Sequence, residues 1–347
     1  MADTKYVLLP QNSTEGIRTK IKKGDVLVSI TADLGIIGYI DSHFPTPAYV
    51  SQHIALLRIR CQTIIGRYIA YFLAGPVAQK RFLQITDQGA KAGLNLNAIR
   101  IFNLAIPSLA EQEKITRILS TWDTAISQTR KLIDAKIHRK NALMQKLLQG
   151  KKRLTGFENP WNECCLGDLF VERRETNNDH LPLLAITGKR GIILASEIDR
   201  KDSSNADKSK YKRIAPGDIG YNTMRMWQGV SAVSGLEGIV SPAYTICQPK
   251  GNVNALFTGY LFKFPPVIHS FWRHSQGLVS DTWNLKFHHF AQIRVKIPDV
   301  REQKAIASFL TAVDNEIKSH ESNLTTIEKQ KRGLMQKLLT GEVRVNT

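Results

Sequence analysis

Two stretches of the chain carry mostly apolar residues at alternating spacings of four and three positions, which is the pattern of a coiled-coil seam. In the first stretch the apolar seam residues are Ile115, Leu119, Trp122, Ile126, Ile133, Leu143 and Leu147. In the second they are Ile306, Leu310, Val313, Ile317, Leu324, Ile327, Leu334 and Leu338. The pattern predicts two long helices that pack on each other, because neither can bury its apolar stripe alone.

Polar residues occupy the remaining seam positions, which are Thr129, Lys136, Lys140, His320 and Lys331. They set the register of the helices or contact a partner. Alternatively, their stems lie along the seam with the polar ends in water, or they mark exposed ends of the seam. The spacing alone leaves these alternatives open.

Both helices carry matching signals at their ends. Ser108 and Asp299 are typical N-cap residues, and each is followed three positions later by a glutamate, which predicts a capping box. Gly150 and Gly341 stand where the end of a helix favours a positive φ. The helices are therefore predicted at 108–150 and 299–341, and each is about 60 Å long.

The two helices are copies of one sequence, offset by 191 residues. Between 106–150 and 297–341, 16 of 45 positions are identical. Average composition would give about three identities. Each copy opens with Ile-Pro-x-x-x-Glu-Gln and closes with Leu-Met-Gln-Lys-Leu-Leu-x-Gly. We interpret the chain as an internal repeat, with a variable domain before each constant helix.

Weaker matches continue the repeat upstream. Lys23-Gly24-Asp25-Val26 is similar to 216–219, and Thr46-Pro47-Ala48-Tyr49 is similar to 241–244. Short β-like stretches such as Val26–Ile30, Gly/Pro turns and one helical stretch in each copy, around 66–82 and 258–273, indicate mixed α+β domains. The predicted domains are 1–107 and 161–298, with a linker at 151–160 and a tail at 342–347.

The two domains differ at their amino ends. Only 23 residues precede Gly24, whereas 56 residues separate Trp161 from the matching Gly217. The first domain is therefore predicted to lack about thirty residues at its amino end.

The charge of the chain narrows the class of its partner. A formal net charge of +18 and a pI near 9.8 favour a polyanion. The basic residues are spread along the chain rather than gathered on one amphipathic helix, which favours nucleic acid over a membrane. Because neither a long apolar run nor an apolar signal core is found, we expect a cytoplasmic protein.

Motifs for catalysis and metal binding are not recognisable. The four cysteines have no C-x-x-C spacing, and we predict buried free thiols at Cys61, Cys164, Cys165 and Cys247. The sequence Asn159-Pro160-Trp161 lacks the second proline of an adenine methyltransferase loop and is interpreted as a turn. Residues 187–191 resemble a triphosphate-binding loop only superficially, and the pair 288–289 is typical of surface histidines. We expect neither a catalytic centre nor a metal.

Two variable domains, each followed by the helix motif quoted above, make the chain resemble the specificity subunit of type I restriction-modification systems. The resemblance covers nearly the whole chain. It implies that the two helices form an antiparallel coiled coil holding two target recognition domains apart. Each domain would read one half of an asymmetric, interrupted DNA sequence. A rigid spacer restricts such reading to half-sites about one helical turn, or about 34 Å, apart.

The resemblance also implies partners and cofactors. Two methyltransferase subunits, which methylate adenine N6 with S-adenosylmethionine, and two ATP-driven restriction subunits complete such a complex. S-adenosylmethionine, ATP and Mg are expected in those subunits, and no cofactor is expected in this chain. The shortened first domain departs from the family pattern. It leaves as alternatives a half-reader that works as a dimer or with a second specificity chain, and a coiled-coil scaffold without autonomous DNA reading.

Candidate DNA contacts follow from residue type, because phosphates need long cations and base edges need planar donors. The second domain has a basic stretch at 199–213, interpreted as a loop, and a polar cluster after it. Its candidates are Lys189, Arg190, Lys201, Lys208, Lys210, Lys212, Arg213, Asn222, Arg225, Trp227 and Gln228. In the first domain the candidates are Gln84, Gln88, Lys91 and Asn95. The alternative for each is a solvated loop that faces away from DNA.

Overall fold

The computed structural model describes residues 15–85, 93–188, 190–198, 207–279 and 282–346. The chain forms two compact units: unit 1 contains 1–133 and 319–347, and unit 2 contains 134–318. Each unit combines one globular domain with the first part of one long helix and the last part of the other.

Unit 1 contains a three-stranded antiparallel sheet and four short helices. The strands are β1 Val26–Ser29, β2 Ile37–Tyr39 and β3 Ile54–Leu57, in the order β2-β1-β3. The short helices are α1 Glu15–Thr19, α2 Gly66–Ala74, α3 Pro76–Gln84 and α4 Leu96–Arg100. Unit 1 also holds the first part of α5, Leu109–Leu148, and the last part of α10, Val300–Thr340.

Unit 2 has ten described strands. They are β4 Asn162–Cys165, β5 Phe170–Glu172, β6 Leu184–Thr187, β7 Gly191–Leu194, β8 Lys212–Ile214, β9 Ile219–Asn222, β10 Ser231–Val233, β11 Gly238–Val240, β12 Tyr244–Pro249 and β13 Arg294–Ile297. One sheet has the antiparallel order β10-β9-β12-β5, and the other strands form the pairs β11-β8, β13-β4 and β6-β7.

The helices of unit 2 are short apart from its parts of α5 and α10. They are α6 Leu166–Leu169, α7 Ala255–Leu261, α8 Pro265–His274 and α9 Phe287–Phe290, with 3₁₀ turns at Ala195–Glu197 and Met226–Gln228. The predicted class, mixed α+β domains with two long helices, is confirmed.

The repeated Gly-Asp motif forms the same turn in both domains. Gly24 has a φ of +90°, and so has its copy in the second domain. Glycine adopts this conformation without the cost that a Cβ brings. The aspartates that follow, Asp25 and Asp218, are each 2% exposed. They bind the side chains of Arg58 and Arg173 respectively, so each turn is closed by an ion pair whose carboxylate is buried.

The helical stretch predicted in each domain is interrupted, which the sequence prediction missed. The chain leaves α2 at Gly75 and begins α3 at Pro76, and it leaves α7 at Phe262 and begins α8 at Pro265. Proline lacks an N–H for the helix interior but fits the first turn. The continuous stretches predicted at 66–82 and 258–273 are therefore wrong at these breaks.

The cysteine prediction holds for one residue only. Cys247 is buried, whereas Cys164 and Cys165 are half-buried and Cys61 is exposed. All four are free thiols. Cys164 and Cys165 lie at the end of β4, and Cys61 lies in a surface loop. The residue type alone does not predict how far a thiol is buried at such places.

Every apolar seam residue of the two long helices is buried or half-buried. In unit 1, Ile115 and Leu119 join a core that includes Leu338 and Leu339. In unit 2, Leu147 and Leu148 join a core that includes Ile306 and Leu310. The ends of the two helices thus complete the cores of the globular domains.

Cross-helix ion pairs give the two helices opposite directions within unit 1. The Lys331 ammonium lies 2.5 Å from an Asp123 carboxylate oxygen, and Arg130 lies 2.5 Å from Glu328. The Tyr71 hydroxyl also donates to Asp123, at 2.5 Å. Asp123 therefore ties α2 of the globular domain to both long helices.

Unit 2 repeats the aspartate–lysine pair with the residues copied at the offset of 191, and its second ion pair is formed by residues that are not copies. The Lys140 ammonium lies 2.5 Å from Asp314, and Lys136 lies 2.6 Å from Glu316. The Tyr260 hydroxyl donates to Asp314 at 2.7 Å, and burial raises the pKa of Tyr260 to about 12. The lysines of the seam thus pair across the two helices, antiparallel in this unit as well.

The helix ends follow the sequence prediction in part. Ser108 and Asp299 accept hydrogen bonds from the backbone N–H of Glu111 and Glu302, at 3.3 and 3.0 Å. Both C-terminal glycines have a positive φ. The glutamate half of the predicted capping box is wrong, because these carboxylates accept hydrogen bonds from distant arginines instead.

Each of these arginines lies just after the C-terminal end of the other long helix. Arg153 comes after α5, and Arg344 comes after α10. Arg344 donates to Glu111 at 2.5 and 2.6 Å, and Arg153 donates to Glu302 at 2.5 and 2.6 Å. In unit 2 the indole of Trp161 adds a hydrogen bond of 3.2 Å to Glu302. Each glutamate thus links the start of one long helix to the chain that leaves the other.

The glutamine after each of these glutamates joins the helix to its domain. The Gln112 side chain is fully buried, accepts from the Ile65 N–H at 2.9 Å and donates to the Thr63 carbonyl at 3.0 Å. Gln303 makes the same contacts, accepting from the Asn254 N–H at 2.8 Å and donating to the Asn252 carbonyl at 3.3 Å. The repeated Glu-Gln pair therefore has a structural role in both copies.

We expect Asp314→Asn to lower the free energy of unfolding by about 1–2 kcal/mol, because it weakens the bonds to Tyr260 and Lys140. Urea titration would measure the change. Asp134→Asn is the matched control, since Asp134 is exposed on the same pair of helices and makes no ion pair in the described structure. Equal losses in both variants would show that Asp314 has no special role.

The pair Glu111–Arg344 predicts acid sensitivity. The hydrogen bond from Arg344 lowers the pKa of Glu111. Stability from this lowered pKa is present above the ordinary glutamate value of about 4.3 and is lost as the pH falls through the folded-state pKa. In Glu111→Gln the urea midpoint should therefore fall less on acidification than in the parent chain. Identical pH profiles would contradict this.

Candidate nucleic-acid interface

Two neighbouring segments of unit 2 bring aromatic side chains close to the exposed Arg225. One is the β9–β10 loop, residues 223–230, and the other, which we call the hairpin, comprises the described residues 276–279 and 282–284, where Gln276 pairs with Asn284. The Leu285 N–H donates to the Thr223 carbonyl at 2.9 Å, which holds the base of the hairpin against the base of the loop. We call these two segments the paired loops.

Three of the five tryptophans of the chain meet at the paired loops. The rings of Trp227 and Trp283 pack edge to face at 5.1 Å between centroids, and Trp272 packs on Trp283 at 5.9 Å. Trp272 is 42% exposed, and Trp227 and Trp283 are half-buried. A cluster of three large aromatic rings that is partly open to solvent is typical of an interaction site.

The β9–β10 loop is held in one conformation by buried contacts. Gly229 has a φ of +75°, and a Cβ at this position would lie 2.8 Å from the Ile268 side chain. The Lys263 ammonium donates to the Gly229 carbonyl at 2.6 Å, and burial lowers the pKa of Lys263. The Trp227 indole donates to the Met224 carbonyl at 3.0 Å. The loop therefore presents its exposed side chains from a fixed backbone.

The cations of unit 2 fall into two classes. Arg213 is held between Glu175 and Glu237, at 2.7 and 2.5 Å, and Arg190 pairs with Glu197 at 2.8 Å. In the described structure Arg225 is exposed and forms no ion pair. Of these three arginines, Arg225 is the one whose guanidinium is open to a ligand.

The predicted contact residues are distributed over several places. Asn222, Arg225, Trp227 and Gln228 lie together on the β9–β10 loop and the strand end before it. The predicted loop at 199–213 is wrong at its end, because Lys212 and Arg213 lie on β8, where they pair with β11. Strand pairing to a distant segment overrides the local loop signal there.

The other predicted residues are less grouped. Lys210 is exposed, and Lys208 lies over the Tyr211 ring at 5.6 Å. Gln84 is the last residue of α3, and Asn95 caps α4 by accepting from a backbone N–H. The remaining predicted contacts, Lys189, Lys201, Gln88 and Lys91, lie outside the described residues.

The repeat relates the two sets of predicted contacts. Leu94 donates its N–H to the Ile30 carbonyl at 3.0 Å, which copies the bond between Leu285 and Thr223. At the offset of 191, the first-domain candidates 84–95 correspond to 275–286, the hairpin of the paired loops. Of the second-domain candidates, Asn222, Arg225, Trp227 and Gln228 lie at the other loop. The contact residues stay a prediction, and applying the offset would have added Trp283 to them.

The rings of His288 and His289 lie 3.9 Å apart, but no group of three or more metal-binding side chains occurs among the described residues.

No described helix is long and apolar enough to cross a membrane.

Comparison with known proteins relates the chain to one family. The family model described as the type I restriction modification DNA specificity domain matches residues 8–137 and 159–329. A protein of Methanocaldococcus jannaschii described as a putative type I restriction enzyme MjaX specificity subunit is 24% identical over 353 residues, which cover 93% of this chain and 79% of the relative. The EcoBI specificity subunit of Escherichia coli is 25% identical over 131 residues, 38% of this chain and 27% of the relative.

Solved structures share the fold. The HsdS subunit from Thermoanaerobacter tengcongensis matches with a TM-score of 0.50 and 14% identity, over 97% of this chain and 85% of that one. The type I restriction-modification S subunit from M. genitalium matches with a TM-score of 0.56 and 13% identity, over 92% and 84%. The family model matches both copies of the domain-and-helix repeat, and the chain therefore belongs to the family of type I restriction modification DNA specificity domains.

Proposed function

We propose that the chain is the specificity subunit of a type I restriction-modification complex and that it reads a two-part DNA target. The observation that carries this proposal is the pair of family-matched repeats, each with a variable domain on a constant helix. The paired loops of unit 2 supply the chemistry. Arg225, Asn222 and Gln228 are donors of the type that binds base edges, and Trp227 offers an apolar face.

Adenine-N6 methylation and ATP-dependent cleavage would be carried out by partner subunits that hold S-adenosylmethionine, ATP and Mg. Two copies of one partner fit a chain that displays the same residues twice. Gln145 and Lys146 on α5 are identical to Gln336 and Lys337 on α10. All four side chains are exposed and make no hydrogen bond in the described structure. Because the fold does not use them, we assign them to docking of two methyltransferase subunits.

Co-expression with the methyltransferase subunit, followed by mapping of N6-methyladenine across the host genome, tests the proposal. We expect methylation within one interrupted, two-part sequence. A symmetric or half-length sequence would favour the alternative of a half-reader that acts as a dimer or with a second chain. A stable complex without methylation would favour the scaffold.

Arg225→Ala and Trp227→Ala should each relax or abolish recognition of one half of the target, because they remove a base-edge donor or an apolar contact from the paired loops. The mapped methylation sequence is the readout. Arg294→Ala is the matched control, since Arg294 is 75% exposed on β13 of the same unit. An unchanged sequence preference in the loop variants would exclude these residues as readers.

The assembled complex should bind its target with a steep dependence on salt. If six to ten phosphates are neutralised, affinity falls by about 10³ to 10⁵ between about 50 and 200 mM salt. A filter-binding or fluorescence-anisotropy titration on the target duplex measures the slope. A complex insensitive to salt would contradict DNA reading.

A further inference from the structure

A cleft in unit 2 adjoins the paired loops and has a volume of about 680 Å³. Thr223 and Met224 of the β9–β10 loop and Asn284 of the hairpin form one side of it. Its lining also includes the charged residues Glu172, Arg174, Lys212 and Lys286 and the turn residues Pro242 and Ala243. The cleft is therefore continuous with the surface that we assign to base reading.

The charge inside the cleft is unbalanced. Among its lining residues Glu172 is the one carboxylate, and Arg174 pairs with it at 2.7 Å. Lys212 and Lys286 remain, and neither forms an ion pair in the described structure. The lining residues therefore carry three cations against one carboxylate, which is an excess of positive charge.

Lys212 is the more deeply placed of the two lysines. It stands on β8 and donates one hydrogen bond, of 2.7 Å, to the Tyr244 carbonyl. An ammonium carries three donors, so two remain for a ligand. Burial lowers the pKa of Lys212, and the charge of Glu172 opposes this effect only in part, so the ammonium is partly desolvated.

One wall of the cleft includes residues of a sequence motif that occurs in both copies of the repeat and has no role in the fold described so far. Pro242, Ala243 and the backbone of Tyr244 belong to the Ser-Pro-Ala-Tyr turn, whose copy in the first domain is Thr46–Tyr49. Pro242 and Ala243 are exposed, so burial in the core does not account for their identity in both copies. In the second domain these two residues form part of one wall of the cleft.

We propose that the cleft binds phosphates of the DNA backbone next to the half-site that the paired loops read, with Lys212 and Lys286 contacting phosphate oxygens. The inference rests on the proposed function. A phosphate offsets the excess positive charge of the cleft and fixes the register of the duplex without carrying sequence information. The cleft thus positions the duplex, whereas the paired loops read its bases.

The test uses the complex with the methyltransferase subunit and two duplexes, one with the mapped target and one scrambled. Lys286→Met and Lys212→Met remove a charge and keep an apolar stem. Each should reduce the slope of log affinity against log salt by about 1, weakening binding to both duplexes by a similar factor. The methylated sequence should stay the same. Because Lys212 also supports the fold, the exposed Lys286 keeps the test decisive if Lys212→Met is unstable.

Lys296→Met is the matched control, because Lys296 is an exposed lysine of the same unit outside the cleft. It should leave the slope unchanged. An unaltered slope and affinity in Lys286→Met would overturn the cleft assignment, and so would a changed methylation sequence. If the parent complex shows no sequence preference, the proposed function itself fails, so the two failures are distinguishable.

Duplexes with one neutral methylphosphonate at each backbone position sharpen the test. In the parent complex, neutralising the phosphate bound in the cleft should weaken binding. In Lys286→Met the same substitution should cost less, because the contact is already lost, and the two effects should not add. Full additivity at every phosphate would overturn the inference.

Discussion

One buried glutamine side chain fixes each globular domain to the long helix that follows it. Gln112 and Gln303 are at most 1% exposed, and each bonds backbone groups of its own domain and of the Pro residue before the helix. A buried amide that loses its partners costs about 1–3 kcal/mol, so the domain cannot turn about the helix start without that loss. The direction in which the loops of a domain point depends on this joint.

Two kinds of ion pair act together with the glutamine in each unit. In the first kind, Glu111 or Glu302 at the start of one long helix binds an arginine just after the end of the other. In the second kind, Asp123 or Asp314 binds a lysine on the other long helix. Single pairs at a surface contribute little to stability. Here Asp123 and Asp314 also accept from a tyrosine hydroxyl of the globular domain, and Glu302 accepts from the Trp161 indole, so these pairs determine geometry more than they add stability.

The sequence predicts the parts of this fold that depend on local pattern. The heptad seam, the N-caps and the C-terminal glycines each follow from a few neighbouring residues. The partners of Glu111 and Asp123 do not, because they lie more than 200 residues away and no local rule joins them. The repeat nevertheless marks them, since Asp123 and Lys140 recur at the offset of 191 inside an otherwise divergent stretch. An isolated polar identity between two copies is therefore a signal of structural pairing.

The candidate interface is less predictable for the same reason. Counting cations overestimates the open ones, because Arg190 and Arg213 are engaged by carboxylates that only the fold brings near. It also misses Trp283, whose ring meets Trp227 across 56 residues of sequence.

The residues that join domain to helix are identical in both copies, whereas the loop positions differ. When the copies are aligned at Gly24 and Gly217, Arg225 and Trp227 of the second domain correspond to Ala32 and Leu34 of the first. Because the joint bonds backbone groups and the paired loops rest on a backbone hydrogen bond, loop side chains can change without altering the frame. Two corresponding joints whose loops carry different side chains present different donors to DNA. A protein built this way matches a target whose two halves differ in sequence.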